Sequence, residues 1–267
     1  MERKDSAAKG KMLSFFDLEM NGLEVVGYFG EATEIILPEG VTKIGEYAFH
    51  NNERLRKVTL PDSVTQIDDW AFSNCTSLEK IYIPNSVTRI GEFAFERCTS
   101  LVEVCIPDSV TKIEVCAFSE CENLKAIHIS DSVTEIGDLA FSDCTSLEEI
   151  HIPGSVTQIA DSAFDGCTGL REVSIPDSVQ EIGKSAFGGC TGLREVCIPD
   201  SGKSAFGGAV QALRKSASRP VCGKSANRPS RAVQISRKST FSTVRQKSES
   251  GHFTTVQVSR KFIFPTV

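Results

Sequence analysis

Three Gly-Lys-Ser triplets are the residues of this 267-residue sequence best suited to holding a phosphate group. They lie at 183–185, 202–204 and 223–225. A phosphate-binding loop has the pattern G-x-x-x-x-G-K-[ST], because its first glycine lets backbone N–H groups surround the phosphate oxygens. Ser178, Cys197 and Ser218 occupy the first-glycine positions here. The spacing therefore argues against a nucleotide site, and the triplets need another explanation.

Cysteines are the second set of residues that could do chemistry, as metal ligands or redox groups. Six of the ten cysteines are spaced 23 residues apart, and Asn52 stands one interval before the first: Cys75, Cys98, Cys121, Cys144, Cys167 and Cys190. Zinc sites gather closely spaced cysteine pairs into clusters, and the sequence shows no such cluster. The ladder predicts buried structural thiols and a reducing compartment, with no metal and no cofactor.

The 23-residue interval belongs to a repeat. Each copy follows the consensus V-T-x-I-G-x-x-A-F-x-x-C-x-x-L-x-x-[VI]-x-I-P-x-S, and seven copies fill 41–201. The copies begin at Val41, Val64, Val87, Val110, Val133, Val156 and Val179. Such self-similarity is typical of a solenoid, whose units bury their apolar faces only by stacking.

One copy can be interpreted physically. The [VI]-x-I-P segment alternates apolar and other residues, which predicts a short strand ended by proline and turned by Asp-Ser or Asn-Ser. V-T-x-I alternates again and predicts a second strand. In G-x-x-A-F-x-x-C the apolar residues have near-helical spacing, which predicts a short helical turn with Phe pointing inward. The fold class predicted is therefore an α/β solenoid.

The phrase I-P-x-S-V-T-x-I-G-x-x-A-F-x-x-C resembles the BspA-like leucine-rich repeat, over about 41–201. The segment 15–40, with Tyr28, Gly30 and Ile-Ile-Leu-Pro, resembles the N-terminal capping half-repeat of that family. The resemblance implies a curved α/β leucine-rich-repeat solenoid that binds proteins or other macromolecules, often at cell surfaces. It implies no enzymatic activity.

Two columns of strand residues should face outward on the concave side, where solenoids usually bind. Their members are the candidate binding residues Lys57, Thr59, Lys80, Tyr82, Glu103, Cys105, His128, Glu149, His151, Glu172 and Ser174. The surface is basic at one end and acidic at the other. Three interpretations of the neighbouring histidines remain open: a metal site, a solvated face, or part of a binding surface.

The charge distribution marks a boundary near residue 201. Residues 1–201 contain 16 Lys and Arg against 34 Asp and Glu, whereas 202–267 contain 13 against one. The predicted organisation is a disordered N-terminus (1–14), the capping half-repeat (15–40), the solenoid with a final truncated repeat (41–206) and a basic, disordered tail (207–267). The truncated repeat supplies no polar cap, so chains could associate through that end.

The predicted function is a noncatalytic scaffold that binds a macromolecule on its concave strand face. Two alternatives stay open: a decayed or frameshifted gene product without a selected function, and a polyanion binder acting through its basic tail. No specific nucleic acid and no transmembrane segment are expected. MERKDSAAKGKMLSFF lacks an apolar signal core, which predicts a cytoplasmic protein, although a misassigned start codon would leave room for a secreted or cell-surface one.

The tail keeps the 23-residue interval of the solenoid but not its repeat consensus. Gly202–Gly208 copies Gly183–Gly189, with the intervening Val-Gln-Glu-Ile absent, and VQALRKS, VQISRKS and VQVSRKF then begin 23 residues apart at Val210, Val233 and Val256. TGT ACA AAT CTC AAG AAA ATC CAC ATT C encodes the repeat-like CTNLKKIHI, and one base later it encodes Val233–Phe241. AAA GTT CAT ATT CCC GAC AGT GTG A encodes KVHIPDSV, and one base later it encodes Lys261–Val267 followed by a stop.

These coincidences predict that residues from about 209 onward are a repeat array translated in the +1 frame. Sequencing of matched genomic DNA and transcript across codons 195–267 should show a base gained or lost near codons 201–210. The repeat consensus should then continue in the other reading frame. An intact reading frame in both, without that continuation, would mean that the basic tail is a genuine extension.

Overall fold

The computed structural model describes residues 11–12, 17–197, 243–247 and 253–257, and shows two parallel columns of short strands. Each 23-residue turn of the chain contributes one strand to each column. Equivalent residues of successive repeats are therefore partners in the register, as Lys57 is of Lys80. The predicted solenoid is confirmed.

The first column is built from three-residue strands that follow the Leu-x-x segment of each repeat. In five of these strands the pattern is exposed, buried, exposed, because the central Val or Ile points into the core. The strands are β4 (Glu34–Ile36), β6 (Lys57–Thr59), β8 (Lys80–Tyr82), β10 (Glu103–Cys105), β12 (Ala126–His128), β14 (Glu149–His151), β16 (Glu172–Ser174) and β18 (Glu195–Cys197). A first strand, β1 (Lys11–Met12), pairs in parallel with β4.

The second column contains two-residue strands that arise from the Thr-x-Ile segment. Its isoleucines are buried, while the preceding residues face solvent at least partly. The strands are β5 (Lys43–Ile44), β7 (Gln66–Ile67), β9 (Arg89–Ile90), β11 (Lys112–Ile113), β13 (Glu135–Ile136), β15 (Gln158–Ile159) and β17 (Glu181–Ile182). Serines of the P-x-S turns add to the stacking, since Ser63 Oγ donates to the carbonyl of Val41 at 2.7 Å.

An antiparallel hairpin extends the second column at its N-terminal end. Strand β2 (Leu18–Asn21) pairs with β3 (Glu24–Tyr28), and β3 pairs in parallel with β5. Gly22 has a φ of 64° in the two-residue loop, a conformation that glycine adopts without steric cost. The Tyr28 ring lies 5.5 Å from that of Phe49, at the start of the aromatic core. The capping role predicted for 15–40 stays a prediction.

The G-x-x-A-F-x-x-C segment is not the short helical turn that its spacing suggested, and the described residues contain no helix. It forms consecutive tight turns, in which Ala48 N–H donates to Gly45 O and His50 N–H to Tyr47 O. Two residues per repeat have positive φ, as Trp70 and Asn74 do at 54° and 58°. The intervening N–H groups donate to carbonyls of the next repeat, as Phe49 N–H does to Ala71 O. The segment therefore does not form helical i to i−4 hydrogen bonds.

Phenylalanine side chains from this segment form the centre of the core. Neighbouring rings are stacked in nearly parallel planes, with centroids 4.9 to 5.6 Å apart and interplanar angles of 2° to 11°. The stack contains Phe49, Phe72, Phe95, Phe118, Phe141, Phe164 and Phe187, all buried. The distance between ring centroids is close to the distance between paired strands, so each repeat adds one ring to the stack and one strand to each column.

Strands β19 (Thr243–Lys247) and β20 (Phe253–Gln257) form a separate antiparallel pair, with Arg245 opposite Thr255. Within 207–267 these strands are the only part that the structure describes. The disorder predicted for the rest of this tail therefore concerns residues outside the described ones, as does the predicted truncated repeat at 202–206. The disorder predicted for 1–14 likewise lies there, apart from Lys11 and Met12.

Replacing a ring in the middle of the stack should be costly. Phe118→Ala removes a fully buried ring, and we expect a loss of about 3–5 kcal/mol in the free energy of unfolding, measured by chemical denaturation. Val102→Ala, on a side chain 39% exposed, is the control and should change stability by less than about 0.5 kcal/mol. Equal effects of the two substitutions would contradict a stability centred on the ring stack.

Candidate binding surface

The outward face of the first column, called here the strand face, presents the eleven candidate residues predicted from the sequence. Nearly all are exposed: Lys57, Lys80, Tyr82, Glu103, Cys105, His128, Glu149, His151, Glu172 and Ser174, with Thr59 half-buried. Tyr82 is the largest apolar group among them and is 56% exposed. The strands thus hold two parallel lines of side chains on one surface.

Charges on the strand face are segregated along the solenoid. Lys57 and Lys80 are partners in register on β6 and β8, and Glu149 and Glu172 are partners on β14 and β16. Like charges directly opposite on paired strands destabilise a sheet by a few tenths of a kcal/mol or more. The stability of the fold therefore does not account for this arrangement of like charges.

These charges also stand outside the ion pairs of the described residues, although Lys80 lies opposite Glu103 in the register of β8 and β10. Within the part of the chain that the structure describes, no ion pair involves Lys57, Lys80, Glu103, Glu149 or Glu172. The second column is the opposite case, since Lys43 Nζ lies 3.0 Å from Glu24 and 2.7 Å from Asp68. Its cations are neutralised by carboxylates of neighbouring repeats, whereas the strand face leaves its charges to solvent.

The histidines lie on successive strands of this surface, but the hydrogen-bonded sheet is interrupted between them. His128 belongs to the six-stranded sheet, in register with Cys105, while His151 belongs to the three-stranded sheet that begins at β14. No group of three or more His, Cys, Asp or Glu side chains is placed to hold a metal ion among the residues described. His128 and His151 are both exposed.

The cysteine ladder lies within the core. Every ladder thiol from Cys75 to Cys190 is buried and donates to the carbonyl of a phenylalanine in the preceding repeat, at 3.0 to 3.2 Å. Asn52 fills the place differently, because its Oδ1 accepts from the N–H groups of Arg54 and Leu55. Cysteine is a small apolar residue, and its thiol here adds a second hydrogen bond to a buried carbonyl: Phe72 O accepts from the Cys98 thiol and also from the N–H of Cys75.

Burial suppresses the chemistry of these thiols. It raises the pKa of Cys75 and of Cys144 to about 12, and raises the pKa of Cys98 and Cys121 well above the ordinary value. Since the thiolate is the nucleophile and the metal ligand, thiols held neutral in this way are inert. The ladder is therefore a packing and hydrogen-bonding device.

A third column of equivalent residues was not predicted from the sequence. It consists of the second variable residue of G-x-x-A-F and is called here the turn stripe: Tyr47, Trp70, Phe93, Cys116 and Leu139. Tyr47 stacks on Trp70 and Trp70 on Phe93, with centroids 5.3 and 4.9 Å apart. These rings are partly exposed, unlike the phenylalanine core. The signal was available, because three aromatic residues recur there at intervals of 23.

Comparison with known proteins agrees with the geometry of the repeats. The model of the BspA type leucine rich repeat region matches residues 28–148 and 100–210, in six copies. This chain belongs to the BspA-type leucine-rich repeat family. The match covers more than half of the sequence and confirms the resemblance drawn from the repeat phrase. The family is of the leucine-rich-repeat scaffold type.

Solved structures of leucine-rich repeat proteins are similar to this one. The crystal structure of a T. pallidum leucine-rich repeat protein, TpLRR, is 30% identical with a TM-score of 0.66, covering 77% of this chain and 96% of its own. A leucine-rich cell surface protein of Faecalibacterium prausnitzii is 29% identical with a TM-score of 0.44, covering 72% of this chain and 64% of its own. No match was found among curated proteins. No helix in the described residues is long and apolar enough to span a bilayer.

The buried thiols predict a loss of stability in alkali. The unfolded chain releases thiol protons near pH 9, whereas Cys75 and Cys144 retain theirs up to about pH 12, so ionisation favours unfolding across this window. Each such thiol should lower the free energy of unfolding by about 1.4 kcal/mol per pH unit. Denaturation at several pH values, with a reductant present, measures the slope.

Cys144→Ser removes the ionisable group and should reduce that slope by about one proton, even though it lowers stability at neutral pH. Cys105→Ser, on the exposed thiol of the strand face, is the matched control and should change the slope less. If both substitutions leave the same slope as the wild type, the ladder thiols do not carry the alkaline transition.

Proposed function

We propose that this protein is a noncatalytic scaffold that binds a protein or other macromolecule on its strand face. The observation that carries the proposal is the set of charges without an ion pair on that face, beside a second column whose cations are paired. The family supports a scaffold role, and the surface supplies the detail. A partner would complete the ion pairs that the fold leaves open.

The distribution of charge specifies the partner's chemistry. An acidic segment would lie opposite Lys57 and Lys80, and a basic segment would lie opposite Glu103, Glu149 and Glu172. Tyr82 stands next to the boundary between the two signs, where an exposed aromatic ring offers a large contact area at low entropic cost. Charges of this kind mainly set orientation and association rate, so binding should weaken with salt.

Charge reversal of the strand face tests the proposal. Affinity capture with the full chain should recover a partner that is lost, with affinity reduced at least about tenfold, when Lys57→Glu and Lys80→Glu are combined, or when Glu149→Lys and Glu172→Lys are combined. Val102→Ser, at an exposed residue that is not one of the eleven, should retain the same partner. Because every variant keeps residues 202–267, capture through the basic tail would persist in all of them.

Recovery of the same proteins, at the same yield, by the wild type and both charge-reversed variants would sink the proposal. Far-ultraviolet circular dichroism and thermal unfolding of each variant separate a lost contact from a lost fold. All four substituted side chains are exposed, so the fold should survive.

A further inference from the structure

The turn stripe is a second surface, distinct from the strand face. Tyr47 is 49% exposed and Leu139 is 38% exposed, while Trp70 and Phe93 are partly exposed. Cys116 is buried between them in sequence order. The equivalent positions of the next two repeats are Ser162 and Ser185, so the apolar part of the column covers five repeats and then ends.

The stacking of the rings decides which chemistry the stripe offers. Trp70 lies between two rings at interplanar angles of 14° and 4°, so both of its faces are covered. Binding of a sugar or a quaternary ammonium group uses the open face of a ring. The stripe presents ring edges instead, which form a ridged apolar surface suited to aliphatic side chains.

Carboxylates lie close to this apolar line around Cys116. The pKa of the Cys116 thiol is raised to about 11 by burial and by the negative field of Glu96, Asp138, Glu92 and Glu120. Arg97 forms an ion pair with Glu120 at 2.8 Å, and Glu96 also lies within its field. An apolar line with an acidic border complements a partner that is apolar along one side and basic beside it.

The spacing along the stripe selects the partner's secondary structure. Successive rings are 5.3 and 4.9 Å apart, and an α-helix advances about 5.3 Å over the 3.5 residues that separate apolar positions of a seam. An extended strand places same-side residues about 7 Å apart and would lose register. Five repeats at about 5 Å per step correspond to about 14 helical residues.

We propose that the turn stripe is the docking site for a basic amphipathic α-helix of a partner protein, with its apolar seam on the ring edges and its cations beside Glu92, Glu96 and Asp138. A second copy of this chain would have a matching spacing. Its acidic border would face an identical acidic border, however, and the repulsion disfavours that pairing. The site is independent of the strand face and can fail or hold without it.

Trp70 makes the proposal directly measurable, because it is the only tryptophan of the chain. The probe is a synthetic helical peptide of about 18 residues, without tryptophan, with leucines in a seam and lysines on both sides. Titration of the full-length protein should give saturable binding with a blue shift of Trp70 emission. A peptide of the same composition in scrambled order should bind at least about tenfold more weakly.

Two kinds of variant locate the contact. Phe93→Ser places the residue that the chain itself uses at Ser162 and Ser185 into the stripe, and should weaken binding at least about tenfold by peptide fluorescence anisotropy. The double variant Glu92→Gln with Glu96→Gln tests the acidic border and should weaken binding and its salt dependence together. Val102→Ser, an exposed apolar side chain outside the stripe, should bind the peptide as the wild type does. Thermal unfolding checks that each variant is folded.

Three outcomes would overturn the proposal. Equal binding of the scrambled peptide would reduce the effect to charge attraction. Binding without a change in Trp70 emission, or unchanged in Phe93→Ser, would place the peptide elsewhere. A dimer of the free protein in sedimentation analysis that Phe93→Ser dissociates would identify the stripe as a self-association surface.

Discussion

The stacking of one phenylalanine ring per repeat is the constraint on which the rest of the structure depends. Rings at 4.9 to 5.6 Å leave room for one strand step per turn of the chain, and for nothing larger. One ring and one strand of each column are added per repeat, so equivalent residues of successive repeats stay in register. Each exposed column inherits the same spacing from the core.

Most of the fold could be predicted from the sequence because buried positions repeat without much choice. Val58, Ile81 and Val104 stack at the same place in β6, β8 and β10, and nothing polar would be tolerated there. The turn segment could not be predicted as reliably. Ala, Phe and Cys have helical spacing in it, but the N–H of Phe49 donates to Ala71 in the next repeat. Sequence spacing contains no information on hydrogen bonds to a neighbouring repeat.

The candidate surfaces, too, could be predicted only in part. The alternation of inward and outward side chains along a strand was sufficient to place Lys57, Tyr82 and Glu149 on the exposed face. It could not show which charges are neutralised, because that depends on neighbours about 20 residues away, as when Arg89 pairs with Asp68 and Asp69. The turn stripe was missed for a related reason. Its residue types vary, so the consensus treats the position as uninformative, although stacking of Trp70 and Phe93 follows once register is known.

A solenoid imposes its own period on whatever binds along it. Each exposed column is a line of side chains about 5 Å apart, so a partner that contacts several repeats must match that spacing or touch only one or two of them. The strand face relaxes this demand, since charges act over several ångströms and tolerate imperfect register. Apolar edges do not, because dispersion contacts fade within a fraction of an ångström. Selectivity for secondary structure should therefore reside in the turn stripe, and selectivity for charge in the strand face.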